Sequence, residues 1–383
     1  MRLGLRDNFQ QKKLLRPTWA EIELKAVEHN YKELKGLAGR HVEILPVVKG
    51  DAYGHGMRKI SLLLDRLGVK IFGVSDMEEA VELRENGIKK KILLFESTLP
   101  SDTPLIVKYD LTPTICTMEL AVTLNRYARK AGKRIDVHVE VDTGMGRLGI
   151  WHQEAPRFIA DLMRLMNLSI KGIYTHFPVA ETDRSFTQHQ IRNLYRLVNV
   201  LDKKGMVIPY IHAANSMGLC GYGTRILNLA RPGLMLYGLY PKSELKRKLF
   251  LRPVMSVKST VMFVKRSAKG RSISYGRTFI AKKDMEIATL AIGYRDGYLR
   301  SLSNRSSVII KGERCPVVGR VTMDQIMVDV SRLRTVQLGS KAVILGSQGK
   351  VSVTADELAS WAGTISYEIV CNLGNRLPRV YIT

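Results

Sequence analysis

The stretch "ILPVVKGDAYGHGM", residues 44–57, joins an apolar run to a lysine and then to a segment rich in glycine. The apolar run with its single proline predicts a buried strand, and Lys49 stands where that strand ends. A lysine is almost never fully buried unless it is paired or used chemically. The position of Lys49 therefore points to a functional amine at the end of the first strand of the fold.

Further strand-like runs follow this one along the first part of the chain. They lie at residues 70–74, 91–95, 111–115, 135–141, 170–175, 208–213 and 233–238. Helical periodicity separates them, as at Ile60, Leu63, Leu64 and Leu67, which line one face of a predicted helix. Eight strands that alternate with helices are the number that a (β/α)8 barrel requires.

After about residue 250 the pattern changes to short strands of alternating polarity, with one helix at "TADELASWAG". We therefore predict an α/β chain with an N-terminal (β/α)8 barrel followed by a mostly β C-terminal domain. The predicted boundaries are an N-terminal extension over 1–17, the barrel over 18–245 and the β-rich domain over 246–383.

Composition limits the classes of function. The 383 residues include 60 Lys and Arg against 35 Asp and Glu, which gives a net charge of +25. The basic residues are spread along the chain without an aromatic–basic pattern, so we expect a solvated surface and no nucleic-acid partner. No apolar run approaches the ~18 residues of a membrane span, and we expect neither a membrane partner nor a secretory signal. The scattered cysteines at 116, 220, 315 and 371 fit free thiols in the cytoplasm and no metal site.

Polar side chains stand where several of the predicted strands end. They are Lys49 after the first strand, Glu140, Asp142 and Arg147 after the fifth, His176 after the sixth, His212, Asn215 and Ser216 after the seventh, and Arg231 just before the eighth. Because a barrel brings the carboxyl ends of its strands to one rim, we expect these groups to converge there. Each alone has an ordinary structural explanation, but their joint placement indicates a site.

The same rim suggests a ligand. Ser216 and the backbone N–H groups around Gly233 and Leu234 fall after strand seven and at strand eight, where barrels commonly bind phosphate. A phosphate site there and a lysine amine at the first strand are what pyridoxal 5′-phosphate requires, because its aldehyde forms a Schiff base with an amine. The spacing by itself is suggestive of this cofactor.

The motifs "PVVKGDAYGHG", "DTGMGRLG", "THF", "HAANS" and "RPGLMLYG" resemble those of bacterial alanine racemases. The motifs "SYGRT", "GYRDGY", "VGRVTMDQ" and "SYE" continue the resemblance in the same order, over residues 18–380. The resemblance implies a barrel that binds pyridoxal phosphate, a β-rich second domain, and a cytoplasmic homodimer with shared active sites. It also implies interconversion of L- and D-alanine, which would supply D-alanine for peptidoglycan synthesis.

The resemblance assigns roles to individual residues of this chain. Lys49 would hold the cofactor and act as one base, and Tyr275, contributed across the dimer, would act as the other. The remaining cofactor contacts would be Tyr53, Arg147, His176, Asn215, Ser216, Arg231, Gly233, Leu234 and Tyr367. Met323 and Arg147 would bind the substrate, while Tyr294 and Arg295 would line the entrance and His212 and Asp324 would support the site.

Two bases are expected because racemisation removes the Cα proton from one face and returns a proton to the opposite face. Lys49 would serve the D-substrate and Tyr275 the L-substrate. Arg231 facing the pyridine nitrogen would disfavour its protonation. Two alternatives remain: a racemase for another amino acid on the same fold, and a non-catalytic pyridoxal-phosphate carrier, which would lack the second domain.

Two positions depart from the family pattern. Glu140 stands seven residues before Arg147, where the family commonly has a lysine that is carbamylated in many members. We expect the Glu140 carboxylate to replace that anion and to accept hydrogen bonds from Arg147. Arg295 stands where a small residue is common, and we expect it to attract carboxylate-bearing ligands.

Overall fold

A computed structural model describes residues 16–223, 226–373 and 376–383. The chain forms two compact units, one made of Leu24–Val254 and the other of the N-terminal segment through Glu23 together with Met255–Ile382. The strand β1 (Trp19–Glu23) belongs to the second unit, whereas the sequence-based division placed residues 18–23 in the barrel. The physical reason is pairing, since β1 runs antiparallel to one strand of the second unit and parallel to another.

The unit of Leu24–Val254 contains a parallel barrel. Its strands are β2 (Glu43–Ile44), β3 (Ile71–Val74), β4 (Lys91–Ser97), β5 (Thr112–Ile115), β6 (Ile135–Asp142), β8 (Leu168–Tyr174), β9 (Tyr210–His212) and β10 (Leu229–Ala230), while the short β7 (Ile150–Trp151) pairs in parallel with the end of β6. Six of them pair in the order β3-β4-β5-β6-β8-β9, and β10 pairs with β2. A parallel bridge between Val47 and Gly73 joins β2 to β3. The Asn228 N–H donates to the Ile211 carbonyl at 3.1 Å, which connects β9 to β10 and closes the ring.

Helices follow the barrel strands. They are α1 (Leu24–Ala38), α2 (Lys49–Tyr53), α3 (Met57–Arg66), α4 (Met77–Glu85), α5 (Thr103–Lys108), α6 (Met118–Lys130), α7 (Ala155–Leu162), α8 (Arg184–Lys203) and α9 (Ser216–Gly221). Local sequence explains where several of them begin. Thr117 caps α6 by accepting from the Leu120 N–H, and Asp183 caps α8 by accepting from the Phe186 N–H. The predicted (β/α)8 fold is therefore confirmed.

The eighth strand was placed wrongly by the sequence. The predicted run at 233–238 forms a 3₁₀ turn over Leu234–Tyr237, and the true strand is Leu229–Ala230. The four residues of the turn are almost completely buried, and they are therefore apolar. Their sequence looks like that of a buried strand, although their backbone is not extended. Periodicity cannot separate a short buried strand from a short buried turn.

The second unit is built mainly of strands. They are β1 with β11 (Met255–Ser267), β12 (Ser272–Ile273), β13 (Phe279–Ile280), β14 (Met285–Leu290), β15 (Ser307–Ile310), β16 (Glu313–Pro316), β17 (Ile326–Asp329), β18 (Lys341–Gln348), β19 (Val351–Val353) and β20 (Arg379–Ile382). Its main sheet has the order β16-β15-β18-β11-β1-β20. Two helices accompany it, α10 (Ala355–Ala362) and α11 (Ser366–Asn372). The predicted mostly β second domain is confirmed.

Candidate active site

The backbone directly after β2 turns in the left-handed sense. Lys49 begins this turn, and Gly50 has φ 62°, Asp51 51°, Ala52 55° and Tyr53 54°. A non-glycine residue in this conformation costs about 1–2 kcal/mol, and such strain persists only where the surroundings hold it. We call residues 50–53 the left-handed turn. Lys49 stands directly before this turn, at the rim, and most residues disfavour the backbone conformation that follows it.

The end of the left-handed turn presents Tyr53 to a second rim segment. A methyl group added to Gly233 would lie 2.2 Å from the Tyr53 hydroxyl, so this position admits the tyrosine only because it is glycine. The Ser216 hydroxyl accepts hydrogen bonds at 3.3 Å from the N–H groups of Gly233 and Met235. The structure thus brings Tyr53, Ser216 and Gly233, which the sequence predicted for phosphate binding, into one small group that we call the cradle.

Packing that the sequence did not reveal holds Tyr53 in place. The centre of the Tyr53 ring lies 4.9 Å from the centre of the Tyr237 ring. The His55 ring stacks on the Tyr237 ring, with 4.5 Å between their centres. The Tyr237 hydroxyl donates to the Val47 carbonyl at 2.9 Å, so the 3₁₀ turn is tied to the first strand. The apolar run "GLMLYG" contained the tyrosine, but no spacing rule connects it to Val47.

Arg231 is almost completely buried at the end of β10. Its guanidinium donates to the Thr175 carbonyl at 2.9 Å, to the His212 Nδ1 at 2.7 Å and to the His176 Nδ1 at 3.4 Å. It also lies 5.0 Å from the centre of the Tyr174 ring. Burial lowers the pKa of Arg231 to about 10, which still leaves the group cationic at neutral pH. The predicted rim residues His176, His212 and Arg231 therefore form one connected group.

A chain of two histidines continues inward from Arg231. The His212 Nε2 lies 2.9 Å from the His138 Nδ1, and both rings are buried. Because a guanidinium can only donate, the His212 Nδ1 must accept, and a neutral His212 must then carry its proton on Nε2 and donate to His138. Burial and the positive charge of Arg231 lower the pKa of His138 to about 3 and that of His212 well below 6.5. His138 was not among the predicted site residues, because a histidine inside a strand resembles ordinary core.

His176 is also kept neutral. Burial is the largest cause, and the charges of Arg231, Arg147 and Lys49 add to it, so that the pKa of His176 falls to about 3. His176 follows β8 and Lys49 follows the first strand, each at the carboxyl end, and a parallel barrel brings these ends to the same rim. Since His176 is neutral and accepts on Nδ1, it carries its proton on Nε2.

Glu140 does not pair with Arg147 as the sequence predicted. It is buried on β6 and accepts a hydrogen bond from the Tyr174 hydroxyl at 3.1 Å, whereas Arg147 lies exposed in the following loop. The reason is register, since Glu140 and Tyr174 are partners on the adjacent strands β6 and β8. Burial raises the pKa of Glu140, and Arg231 opposes that rise more strongly than Arg147 does. The expected direct hydrogen bond is thus wrong, and Arg231 is the cation that acts more strongly on Glu140.

The loop that carries Arg147 is organised by Asp142. The Asp142 carboxylate accepts hydrogen bonds from the N–H groups of Gly144, Met145 and Gly146 at 2.7, 2.9 and 2.9 Å. The "DTGMGR" motif therefore forms a compact turn that begins at the end of β6. Asn215, another predicted contact, caps α9 by accepting from the Gly218 N–H at 2.8 Å.

The remaining predicted residues lie in the second unit. Tyr275 is 72% exposed in a 3₁₀ turn, Tyr294 and Met323 are also exposed, and Tyr367 is half-buried in α11. The turns that carry Tyr294 and Met323 are bound to each other, since the Arg295 N–H donates to the Met323 carbonyl at 3.1 Å.

Asp296, which the sequence did not single out, anchors the first of these turns. Its side chain is fully buried, and it receives hydrogen bonds from Arg16 at 2.7 Å and from the Gly293 N–H at 3.1 Å. Arg376 reaches the same carboxylate at 3.4 Å and binds Asp324 at 2.7 Å.

Within residues 16–223, 226–373 and 376–383, no group of three or more His, Cys, Asp or Glu side chains could hold a metal ion. Over the same ranges no helix has the length and apolar character to cross a membrane.

A closed parallel barrel with polar groups at one rim, and a strand-rich unit with exposed tyrosines in its turns, define a two-domain barrel enzyme. Models of the alanine racemase N-terminal and C-terminal domains match residues 22–241 and 254–381. The chain belongs to the alanine racemase family, whose members are isomerases, and the resemblance seen in its motifs is confirmed.

Individual relatives agree over nearly the whole length. The chain is 41% identical to the alanine racemase of Halothermothrix orenii over 97% of this chain and 98% of that protein. It is also 41% identical to that of Carboxydothermus hydrogenoformans, over 96% of this chain and 100% of the relative. The solved alanine racemase of Clostridium difficile 630 superposes with a TM-score of 0.92 at 36% identity, covering 97% of each chain.

The neutral histidines predict an acid-sensitive barrel. A histidine with a lowered pKa takes up its proton more readily in the unfolded chain, so stability is present above about pH 6.5 and falls as the pH drops toward about 3. We expect the free energy of urea unfolding to decrease over this window, and His138→Gln to make the decrease shallower. The exposed His41→Gln is the matched control and should leave the slope unchanged. An unchanged slope in His138→Gln would contradict the buried neutral assignment.

Proposed function

We propose that this enzyme interconverts L-alanine and D-alanine with pyridoxal 5′-phosphate bound at the barrel rim. The observation that carries the proposal is the arrangement of one lysine amine, one buried guanidinium and one cradle of phosphate-type donors on a single ring of strands. The names of the full-length relatives support alanine as the substrate.

The residues present fit the cofactor. The cradle of Tyr53, Ser216 and the backbone at Gly233 and Leu234 would bind its phosphate, because a side chain at Gly233 would fill the space beside the Tyr53 hydroxyl. Tyr367 would complete that site, with Asn215 supporting Ser216 as the cap of its helix. When bound, the cofactor links to the Lys49 amine and makes the Cα–H bond of an amino acid acidic.

Arg231 would face the ring nitrogen. Its pKa of about 10 keeps it cationic at neutral pH, and it already donates to the Thr175 carbonyl and to His212, so it does not readily give a proton to the ring. A permanent cation there disfavours protonation of the ring nitrogen. His212 and His138 would fix the orientation of the guanidinium through their ordered tautomers.

The two bases would be Lys49 and Tyr275. Lys49 would remove or return the Cα proton on one face, and Tyr275 would do so on the opposite face. Tyr275 is exposed on its own unit, which suits a residue that serves the site of a partner subunit. We therefore infer a homodimer with shared sites, and we keep the expectation that it works in the cytoplasm and supplies D-alanine for peptidoglycan synthesis.

The Met323 backbone N–H would bind the substrate carboxylate across the dimer. Arg147 would contact the substrate and hydrogen-bond the cofactor's phenolic oxygen, and Tyr294 would limit the size of the entrance. Arg295 would add positive charge near Asp324, whose pKa is lowered by Arg376 first and by Arg295 to a smaller extent. Glu140 would act as a buried anion that balances the positive charge of Arg231. It would also balance the charge of Arg147, by an electrostatic interaction without a hydrogen bond.

A substrate panel tests the proposed function. The purified enzyme, supplied with cofactor, would be incubated with single enantiomers of the common amino acids, and the opposite enantiomer would be measured by chiral chromatography. Alanine should be converted fastest in both directions. Faster conversion of another amino acid would reassign the substrate, and no conversion of any would refute the racemase proposal.

Lys49→Ala should lose the covalently held cofactor, and Lys49→Arg should not restore it, because a guanidinium does not condense with the aldehyde. After borohydride treatment, mass spectrometry should find the cofactor on the peptide that contains Lys49 in the wild type and on the corresponding peptide of neither Lys49 variant. The nearby exposed Lys59→Ala is the control and should retain it. Cofactor fixed elsewhere, or normal turnover by Lys49→Ala, would contradict the assignment.

Tyr275→Phe should abolish racemisation in both directions by at least about 10²-fold, the lower range for loss of a general acid–base group. Exchange of the α-proton with solvent, followed by NMR in D₂O, should survive better for D-alanine than for L-alanine, because Lys49 remains. Equal losses for the two enantiomers would argue against bases on separate faces.

Mixed dimers provide the control for this experiment. Lys49→Ala and Tyr275→Phe subunits, each inactive alone, should regain activity when they are unfolded together and refolded, because one site then has both bases. If no activity returns although the mixed dimer forms, Tyr275 serves the site of its own subunit.

A further inference from the structure

Glu79 connects the left-handed turn to the neighbouring rim segment. Its Oε1 accepts the Gly50 N–H at 2.5 Å and the Asp51 N–H at 3.4 Å, and its Oε2 accepts the Ser75 N–H at 2.8 Å. Gly50 and Asp51 begin the left-handed turn, and the first N–H groups of a helical turn have no partner inside it. One carboxylate therefore satisfies the amides at the entry of the turn.

The spacing of Asp76 and Glu79 is that of a helix start. "DMEEAVELRENG" has Asp76 and Glu79 at the spacing of a capping box, in which the glutamate would bind the N–H of the capping residue. Half of that arrangement exists, since the Asp76 carboxylate accepts the Glu79 N–H at 3.0 Å. The Glu79 carboxylate is instead directed to Ser75 and across to Gly50.

The fold explains this redirection. β2 and β3 are adjacent through the bridge between Val47 and Gly73, so the segments that follow them lie side by side. Glu79 stands in the first turn of α4, which follows β3, and it faces the segment that begins at Lys49. Burial raises its pKa, while the backbone hydrogen bonds oppose the rise.

We propose that Glu79 is a positioning residue that holds the left-handed turn and thereby sets the relation between Lys49 and Tyr53. Lys49 stands at the start of the turn and Tyr53 at its end, so the conformation of residues 50–53 decides where the amine and the phenol lie relative to each other. Asp51, Ala52 and Tyr53 are non-glycine residues in the disfavoured left-handed region of backbone conformation. Contacts from outside the turn are therefore needed to maintain it. The consequence for the cofactor rests on the proposed function, whereas the hold on the backbone does not.

Asp76→Ala offers a matched control for Glu79→Ala. Both substitutions remove a carboxylate at the start of α4. Asp76→Ala removes the acceptor of the Glu79 N–H and so the cap of the helix, whereas Glu79→Ala removes the acceptor of the Gly50 and Asp51 N–H groups. A third variant, Glu79→Gln, keeps one oxygen that can accept from Gly50 but loses the charge and cannot serve Ser75 with its second atom.

The first measurement uses the cofactor-free full chain. Hydrogen–deuterium exchange of the peptide covering 49–57 should be at least about tenfold faster in Glu79→Ala than in the wild type, with Glu79→Gln between them and Asp76→Ala unchanged. Equal exchange in Glu79→Ala and the wild type would overturn the proposal. Equal acceleration in Asp76→Ala and Glu79→Ala would also overturn it, because stability of α4 would then be the cause.

The second measurement uses the enzyme loaded with pyridoxal phosphate. The fraction of cofactor fixed to the Lys49 peptide by borohydride, and kcat for alanine, should both fall about tenfold in Glu79→Ala, while KM changes less than kcat. Wild-type values in Glu79→Ala would overturn the proposal. If Glu79→Ala does not fold, Glu79→Gln decides by the same criteria. A wild-type enzyme that fixes no cofactor would refute the proposed function, and the exchange experiment would still test the hold on the turn.

Discussion

The buried guanidinium of Arg231 is the constraint on which the chemistry of the rim depends. A buried charge is costly unless it is bound on every side, and this one is bound by the Thr175 carbonyl and by two histidines that accept from it. Those contacts require both histidines to be neutral, and their pKa values are lowered by burial and by Arg231 itself. The order of tautomers along His212 and His138 follows from the single fact that an arginine cannot accept a hydrogen bond.

The same charge explains the surroundings of Glu140. Burial of the Glu140 carboxyl group on β6 would ordinarily cost free energy. The charge of Arg231 attracts it, and the Tyr174 hydroxyl donates a hydrogen bond to it. Tyr174 in turn stacks on His212 at 4.7 Å and lies against Arg231. The Glu140 carboxyl group, the Arg231 cation and the neutral rings thus form one group inside the barrel, and a change in any of them alters the electrostatic state of the others.

The rim also depends on backbone shape. The left-handed turn after Lys49 and the glycine at 233 both place side chains by conformations or contacts that other residues would prevent. Such features are disfavoured locally and persist because tertiary contacts hold them, as Glu79, Tyr237 and Ser216 do here. Rigid placement of this kind is what a site needs when two groups must meet one ligand from different strands.

Much of this protein was determined by the sequence alone. Alternating apolar runs and amphipathic helices predicted the barrel, the change of period predicted the strand-rich second part, and polar residues at strand ends predicted the rim. The family followed from the motifs, because they combine glycine-dependent turns with chemically reactive groups. Such patterns can be recognised in the sequence, because each depends on residues within a few positions of one another.

Only the tertiary structure decided which distant groups meet. The pairing of β1 with β11, the hydrogen bond from Tyr237 to Val47, the hydrogen bond from Tyr174 to Glu140 and the contact of Glu79 with Gly50 all join residues that no sequence period relates. Strand register decides such contacts, because it sets which side chains of neighbouring strands lie abreast. Glu140 contacts Tyr174 and not Arg147 for that reason. Glu140 and Tyr174 are 34 positions apart along the chain, but they lie opposite each other on the adjacent strands β6 and β8.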